Sequence, residues 1–286
     1  MSRVSSQPTL SELAALLGTG LSSGGLSPTG ALPSELSLDS LGPDPFAAKN
    51  LRPLRLVAVG DILLARGVGR NASKNGWADP FRASQSLISS ADIAFANLEC
   101  PASYLGEPYP GKDSEVTFRA EPGSLLGIKY AGFDVLSLAN NHMNDFGQEA
   151  LVETLDALDT LGIARSGAGR NRAEAHKAAI LSHEGKKLAF LAYAEHMWSV
   201  IEAGDRAGVA IVEEKAMAAD IAAARENADI VLVSIHWGEE HEGLPRERDR
   251  ALARRLIDAG ANGIIGHHPH VLQGAEFYKG APSCIP

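Results

Sequence analysis

Short apolar runs alternate with helical patterns along most of the chain, and this alternation predicts an α/β fold. Seven runs have the length and apolar content of strands, at 54–60, 91–96, 133–139, 178–183, 187–193, 229–235 and 262–265. Helical patterns lie between them at 81–90, 121–131, 151–161, 213–228 and 245–259. Strands that alternate with helices are typical of a parallel sheet, whereas 178–193 predicts one antiparallel hairpin around Glu184-Gly185.

The first 50 residues differ from the rest in composition. They are rich in Ser, Gly, Pro and Leu, and only 9–17 has a pattern that would form a short docking helix. We therefore predict a flexible extension at 1–50 and one folded domain at 51–286.

Composition narrows the class of protein and of partner. The chain has 286 residues, of which 45% are hydrophobic and 21% are charged, as in soluble globular proteins. Its formal charge of -9 repels a nucleic-acid backbone, so we expect no nucleic-acid partner. No run is apolar enough for a membrane segment or a secretory leader, which predicts a cytoplasmic location. The oligomeric state is left open.

Polar side chains follow five of the predicted strands at the point where each strand ends. They are Asp61; Asn97 and Glu99; Asn141, His142 and Asp145; His236; and His268 with His270. Each group by itself has a structural interpretation, as a turn or as a histidine satisfied in the core. Because the carboxyl ends of parallel strands meet at one sheet edge, five such groups together favour a shared site.

The donor set of these strand ends favours a metal site. Imidazole nitrogens and carboxylate or amide oxygens suit Mn, Fe or Zn, and an oxygen-bridged pair of such ions in particular. Two divalent ions about 4 Å apart activate water and stabilise a leaving oxygen. The sequence therefore predicts divalent transition metal ions, two in number, as the cofactor.

Five ordered segments carry a family resemblance: Gly60-Asp61, Asn97-Leu98-Glu99, 138–145, 234–238 and 266–273. Together they resemble the capsule synthesis protein CapA / poly-γ-glutamate biosynthesis (PgsA-like) family, a branch of the calcineurin-like metallophosphoesterases. The resemblance covers residues 54–278. It implies a four-layer α/β/β/α sandwich with a dinuclear metal site at one end.

The resemblance also implies roles for single residues. The metal-ligand positions are Asp61, Glu99, Asn141, His236, His268 and His270. Glu99 matches the bridging carboxylate, and His142 matches the imidazole that protonates a leaving group or holds a phosphoryl oxygen. Asp145 would orient His142 by accepting its other N–H, and His267 would lie behind the ligands.

Two departures from the family pattern bear on these expectations. Related phosphoesterases have Asp-x-His at the first motif, whereas Asp61 is followed by Ile62 and Leu63, so one nitrogen ligand is missing. Family members also continue beyond 279–280 into another strand and a Ser-Leu-Gly-Asn-Phe-like motif. We therefore expect the domain at 51–286 to be truncated at its C-terminal end.

Three functions are consistent with these patterns. The leading hypothesis is a hydrolase that uses metal-activated water on a phosphoester or amide-type bond, with a small-molecule or anionic polymer substrate linked to poly-γ-glutamate or capsule metabolism. The alternative is a non-catalytic component that binds such a polymer. A third is a scaffold with a degenerate metal site. Loops 102–115 and 239–245 do not distinguish a phosphate substrate from a glutamyl amide.

Overall fold

The computed structural model describes residues 53–197 and 199–284 of the chain. The predicted extension at 1–50 lies outside these residues, so the division into 1–50 and 51–286 stays a prediction. The elements below belong to a compact unit that begins at Leu56.

Strands and helices alternate through the described residues. In chain order, the strands are β1 (Leu56–Ile62), β2 (Ile93–Leu98), β3 (Val135–Ser137), β4 (Ala164–Ser166), β5 (Ala168–Gly169), β6 (Ala179–His183), β7 (Lys186–Ala194), β8 (Gly208–Val209), β9 (Ile230–His236), β10 (Gly263–His267), β11 (Ala275–Tyr278) and β12 (Ala281–Cys284). The α-helices are α1 (Arg66–Asn75), α2 (Gln85–Ser89), α3 (Ser124–Ala131), α4 (Gly147–Leu161), α5 (Arg172–Ala175), α6 (Glu214–Arg225) and α7 (Glu247–Asp258). Short 3-10 helices cover Asp79–Phe81 and Ser114–Val116.

Two sheets carry most of the strands. The first is parallel, with the order β1-β2-β3-β4. The second has the order β11-β12-β10-β9-β7-β6, in which β7, β9, β10 and β12 are parallel. The predicted hairpin is confirmed as the antiparallel pair β6–β7.

The central strand β7 shows how the layers stack. Its residues alternate between the two faces of the sheet, and Leu188 to Ala194 are all buried. On one face, Phe190 stacks on Phe95 of the first sheet, with ring centroids 5.6 Å apart. On the other face, Leu191 belongs to a core cluster with Ile221 of α6 and Leu256 of α7.

The first sheet is covered on its outer face by helices as well. In α4, Leu151, Leu155 and Leu158 are buried, and Gly162 caps the end of the helix with φ 64°. The predicted four-layer α/β/β/α sandwich is therefore confirmed. No α-helix among the described residues combines the length and the apolar character that crossing a bilayer requires.

Strand boundaries differ from the sequence pattern by a few residues, and one difference matters for the site. The pattern ends the first strand at Gly60, but β1 continues to Ile62. The register shifts between Ala58 and Asp61, so that Asp61 pairs with Asn97. The shift indicates a β-bulge, which places Asp61 and not Gly60 opposite Asn97.

Candidate metal centre

The two sheets bring their polar strand ends to the same end of the sandwich. Register places Asp61 beside Asn97 in the first sheet and His236 beside His267 in the second. The backbone N–H of His268 donates to Asp61 Oδ2 at 3.3 Å, which joins the two sheets. Side chains from both sheets therefore converge on one small volume.

Two groups of potential ligands share one carboxylate. Ligand atoms within 4.8 Å of one another come from Asp61, Glu99 and His236 in the first group, and from Glu99, His268 and His270 in the second. His236 Nε2 lies 3.5 Å from Glu99 Oε1, and His270 Nε2 lies 3.9 Å from the same oxygen. Glu99 thus occupies the position between the two groups.

The pKa values of Glu99 and Asp61 are shifted in opposite directions. Burial and the charge of Asp61 raise the pKa of Glu99 to about 10. Burial opposes ionisation of Asp61 also, but hydrogen bonds from His267 and His270 hold the pKa of Asp61 below its usual range. Burial lowers the pKa of His236 and that of His268, so both imidazoles favour the neutral form that binds metals.

Several buried polar atoms of this cluster have no hydrogen-bond partner among the described residues. They include Glu99 Oε1, His268 Nδ1 and His267 Nε2. Unpaired buried polar atoms cost free energy, and a coordinated cation removes that cost for a carboxylate oxygen or an imidazole nitrogen. The nitrogen and oxygen donors present therefore fit a divalent transition metal ion.

Asn141 and His142 lie at the side of this cluster. Asn141 Oδ1 is 2.8 Å from His236 Nε2, and its Nδ2 is 3.3 Å from His142 Nε2. His142 Nδ1 is 2.8 Å from Asp145 Oδ2, and Asp145 is fully buried. The structure thus brings together the six expected metal ligands with His142 and Asp145.

Lys112 is a residue of the site that sequence reasoning missed. Its ammonium forms an ion pair with Asp145 and donates to Asn141 O at 3.2 Å and to Ser199 Oγ at 3.0 Å. It lies in the loop at 102–115, which is rich in Gly and Pro, and no spacing in that loop identifies the lysine. Only the tertiary contact reveals it.

A cavity of about 570 Å³ opens beside the ligand cluster. Its lining includes Asp61, Glu99, Asn141, His142 and His270 together with Leu63, Arg66, Lys112, Val116, Phe118, Met197, Ser199 and Glu240. Leu63 lies on this wall at the position where an Asp-x-His motif has its histidine. The cavity therefore gives a ligand access to the cluster, and the apolar side chain of Leu63 forms part of the cavity wall.

Comparison with known proteins assigns the chain to a family. The family model for the bacterial capsule synthesis protein PGA_cap matches residues 55–283. The chain belongs to this capsule synthesis protein family.

Curated relatives in the family support the same assignment. The capsule biosynthesis protein CapA of Bacillus anthracis is 31% identical over 241 residues, which cover 82% of this chain and 59% of that protein. The PGA biosynthesis protein CapA of Bacillus subtilis is 32% identical over 226 residues, covering 78% of this chain and 59% of that protein. The chain thus spans about three fifths of the length of these family members.

Similar folds also occur among solved structures. A hypothetical protein from Thermus thermophilus has a TM-score of 0.47 and 19% identity, and the match covers 81% of this chain and 75% of that one. A putative 5'-nucleotidase from Staphylococcus aureus has a TM-score of 0.45 and 15% identity over 68% of this chain and 39% of that one.

Proposed function

We propose that this member of the capsule synthesis family is a metal-dependent hydrolase that acts on a phosphoester or amide-type bond in the metabolism of an anionic polymer such as poly-γ-glutamate. The observation that carries the proposal is the position of Glu99. Its buried carboxylate lies between two groups of potential ligands, and one of its oxygens has no other partner among the described residues. The names of the curated relatives support the link to capsule and PGA biosynthesis.

The ligand assignment follows from the two groups. Asp61, Glu99 and His236 would hold one divalent ion, Glu99, His268 and His270 would hold the other, and Asn141 would complete the first group. When bound, Mn, Fe or Zn ions supply Lewis-acid polarisation of the scissile bond and lower the pKa of water at the site.

His142 is suited to the proton transfer that bond cleavage needs. Its Nδ1 faces the Asp145 carboxylate at 2.8 Å, so Nδ1 carries a proton and the ring orientation is held. The opposite nitrogen, Nε2, is then the atom that exchanges a proton with the leaving group in the cavity. The ring is 6% exposed and packs on Phe118, which limits the access of bulk water.

One observation favours the second candidate, a polymer-binding component without turnover. Leu63 stands where related phosphoesterases have a histidine ligand, so the set of nitrogen donors is smaller by one. A site with weaker occupancy would still bind polymer carboxylates through the remaining metal. Hydrolysis and metal binding must therefore be measured separately.

The first experiment measures the metal content of the purified protein by elemental analysis. We expect about one to two equivalents of divalent metal per molecule of parent protein. The variants Glu99→Gln and His268→Ala should lose metal. His241→Ala is the matched control, because the His241 ring lies 6.4 Å from that of His270 but outside both ligand groups. A folded parent that binds no Mn, Fe or Zn when these ions are supplied would refute the proposal.

The second experiment separates catalysis from binding. We expect metal-loaded parent protein to hydrolyse either bis(p-nitrophenyl) phosphate or a γ-glutamyl anilide, and His142→Ala to retain metal but to lose rate by about 10²- to 10⁴-fold. Hydrolysis of the phosphodiester indicates phosphoester chemistry, and hydrolysis of the anilide indicates amide chemistry. Metal retention with equal rates in parent and variant would exclude the role of His142. No turnover of either compound would favour the polymer-binding function.

A further inference from the structure

Two cationic side chains line the cavity, and the protein itself neutralises one of them. Lys112 forms an ion pair with the buried Asp145, donates to Ser199 and is 6% exposed. Its three donor positions are therefore used by protein groups. Lys112 is committed to the architecture of the site and is not available to a ligand.

Arg66, by contrast, is exposed on the cavity wall. Among residues 53–197 and 199–284 it has no carboxylate partner, whereas Arg246 pairs with Glu195 at 2.6 Å and Arg165 pairs with Glu174 at 2.8 Å. An arginine presents five N–H donors in a planar fork that matches a carboxylate or a phosphate. Arg66 lines the cavity of about 570 Å³, which is large enough for such a group.

The guanidinium of Arg66 is held in place by an aromatic ring. It lies over Phe118, 5.6 Å from the ring centroid, and the Phe118 ring lies 4.5 Å from that of His142. A cation over a ring face is stabilised without using its N–H donors in the plane. The donor fork is therefore positioned one aromatic ring away from the candidate acid.

The backbone of Arg66 supports a functional interpretation. Its φ of 54° lies in the left-handed region, which costs free energy for a residue other than glycine. His268 and His270, two candidate ligands, also have positive φ, at 100° and 57°. Strained backbone of this kind concentrates at functional sites, where the position of the side chain outweighs the local cost.

From these observations we propose that Arg66 binds an oxyanion of the substrate, either a phosphoryl oxygen or a carboxylate, and so selects substrates that carry this charge within reach of the cleaved bond. The inference rests on the proposed function, because it places a substrate in the cavity. Divalent ions at the two ligand groups would add positive charge to the same cavity, since Asp61, Glu99 and His270 also line it, and this charge also favours an anionic occupant.

The test titrates inorganic phosphate and glutarate into parent protein, Arg66→Gln and Arg66→Lys by calorimetry. Each protein is titrated metal-free and after loading with Mn²⁺, and its metal content is measured on the same sample. Arg70→Gln is the matched control, since Arg70 is an exposed arginine of the same helix α1 that does not line the cavity. We expect Arg66→Gln to weaken binding of at least one probe by about tenfold or more, Arg66→Lys to weaken it less, and Arg70→Gln to have no effect.

The probes distinguish the two sources of the oxyanion. Weakened phosphate binding assigns Arg66 to a phosphoryl group, and weakened glutarate binding assigns it to a carboxylate. With a substrate that is turned over, Arg66→Gln should raise KM and leave kcat unchanged, an effect that a purely structural residue would not produce. Equal affinities in parent and Arg66→Gln for both probes, or no binding of either probe to the parent, would overturn the inference. If the parent protein holds no metal after loading with Mn²⁺, the proposed function is refuted instead. The metal-free titration still tests the role of Arg66 in that case.

Discussion

Replacement of Lys112 by methionine is expected to lower the free energy of unfolding by about 3–5 kcal/mol, because it leaves a buried carboxylate without its cation. Lys112 is 6% exposed and Asp145 is fully buried, so solvent does not screen the pair. After the substitution Asp145 would retain the Phe118 backbone N–H donor at 2.7 Å and the His142 Nδ1 donor at 2.8 Å. These two neutral donors do not replace an ammonium in a low-dielectric site.

An exposed pair in the same protein is the matched control. Lys279 and Asp258 form a lysine–aspartate ion pair whose side chains are 64% and 42% exposed. Solvent screening limits such pairs to at most about 1 kcal/mol. Lys279→Met removes the same charge with the same change of side chain, so the difference between the two variants measures the effect of burial.

Equilibrium unfolding in urea, monitored by far-UV circular dichroism, measures both effects. A chelator in all samples removes the contribution of metal binding to stability. The double variant Lys112→Met/Asp145→Asn should be less unstable than the sum of the single variants, by about 1–3 kcal/mol. The reasoning is refuted if Lys112→Met costs no more than Lys279→Met, or if the double variant shows no coupling.

Three further outcomes follow from particular contacts. Without metal, the free energy of unfolding should fall as pH rises from about 4.5 toward 10, by at most about 1.4 kcal/mol per pH unit. The reason is that burial raises the pKa of Glu99 to about 10, so the folded state keeps a proton that the unfolded state releases. Urea midpoints at pH 6 and pH 8 check this, and Glu99→Gln should flatten the pH dependence. Phe190→Ala should cost about 3–5 kcal/mol since its ring stacks on Phe95 between the sheets, with metal content unchanged; a midpoint equal to that of the parent would contradict this. Gly127→Ala should destabilise, although alanine favours helices, because its Cβ would lie 2.1 Å from the Trp77 backbone oxygen; a raised melting temperature would show that this contact relaxes.

Local pattern along the chain determined seven of the twelve strands of the described residues, five of their seven α-helices and the polar groups at the strand ends. Alternation of apolar runs with helical spacing is a property of neighbouring residues, so it can be read without knowing the fold. The pattern at 229–235, for instance, corresponds to β9 at Ile230–His236. The pattern at 81–90 corresponds to the end of a 3-10 helix at Asp79–Phe81 and to the short α2 at Gln85–Ser89.

The candidate site itself depended on contacts between distant parts of the chain. The His268 N–H donates to Asp61 across 207 residues, and the bulge in β1 places Asp61 opposite Asn97. Lys112 and Arg66 have no motif that identifies them, since the lysine is recognised by its burial against Asp145 and the arginine by its exposure beside Phe118. Sequence by itself therefore determined the α/β class and the candidate ligands. Tertiary structure decided which of the charged side chains are buried, paired or free, because burial and charge pairing depend on distances in space and not on spacing along the chain.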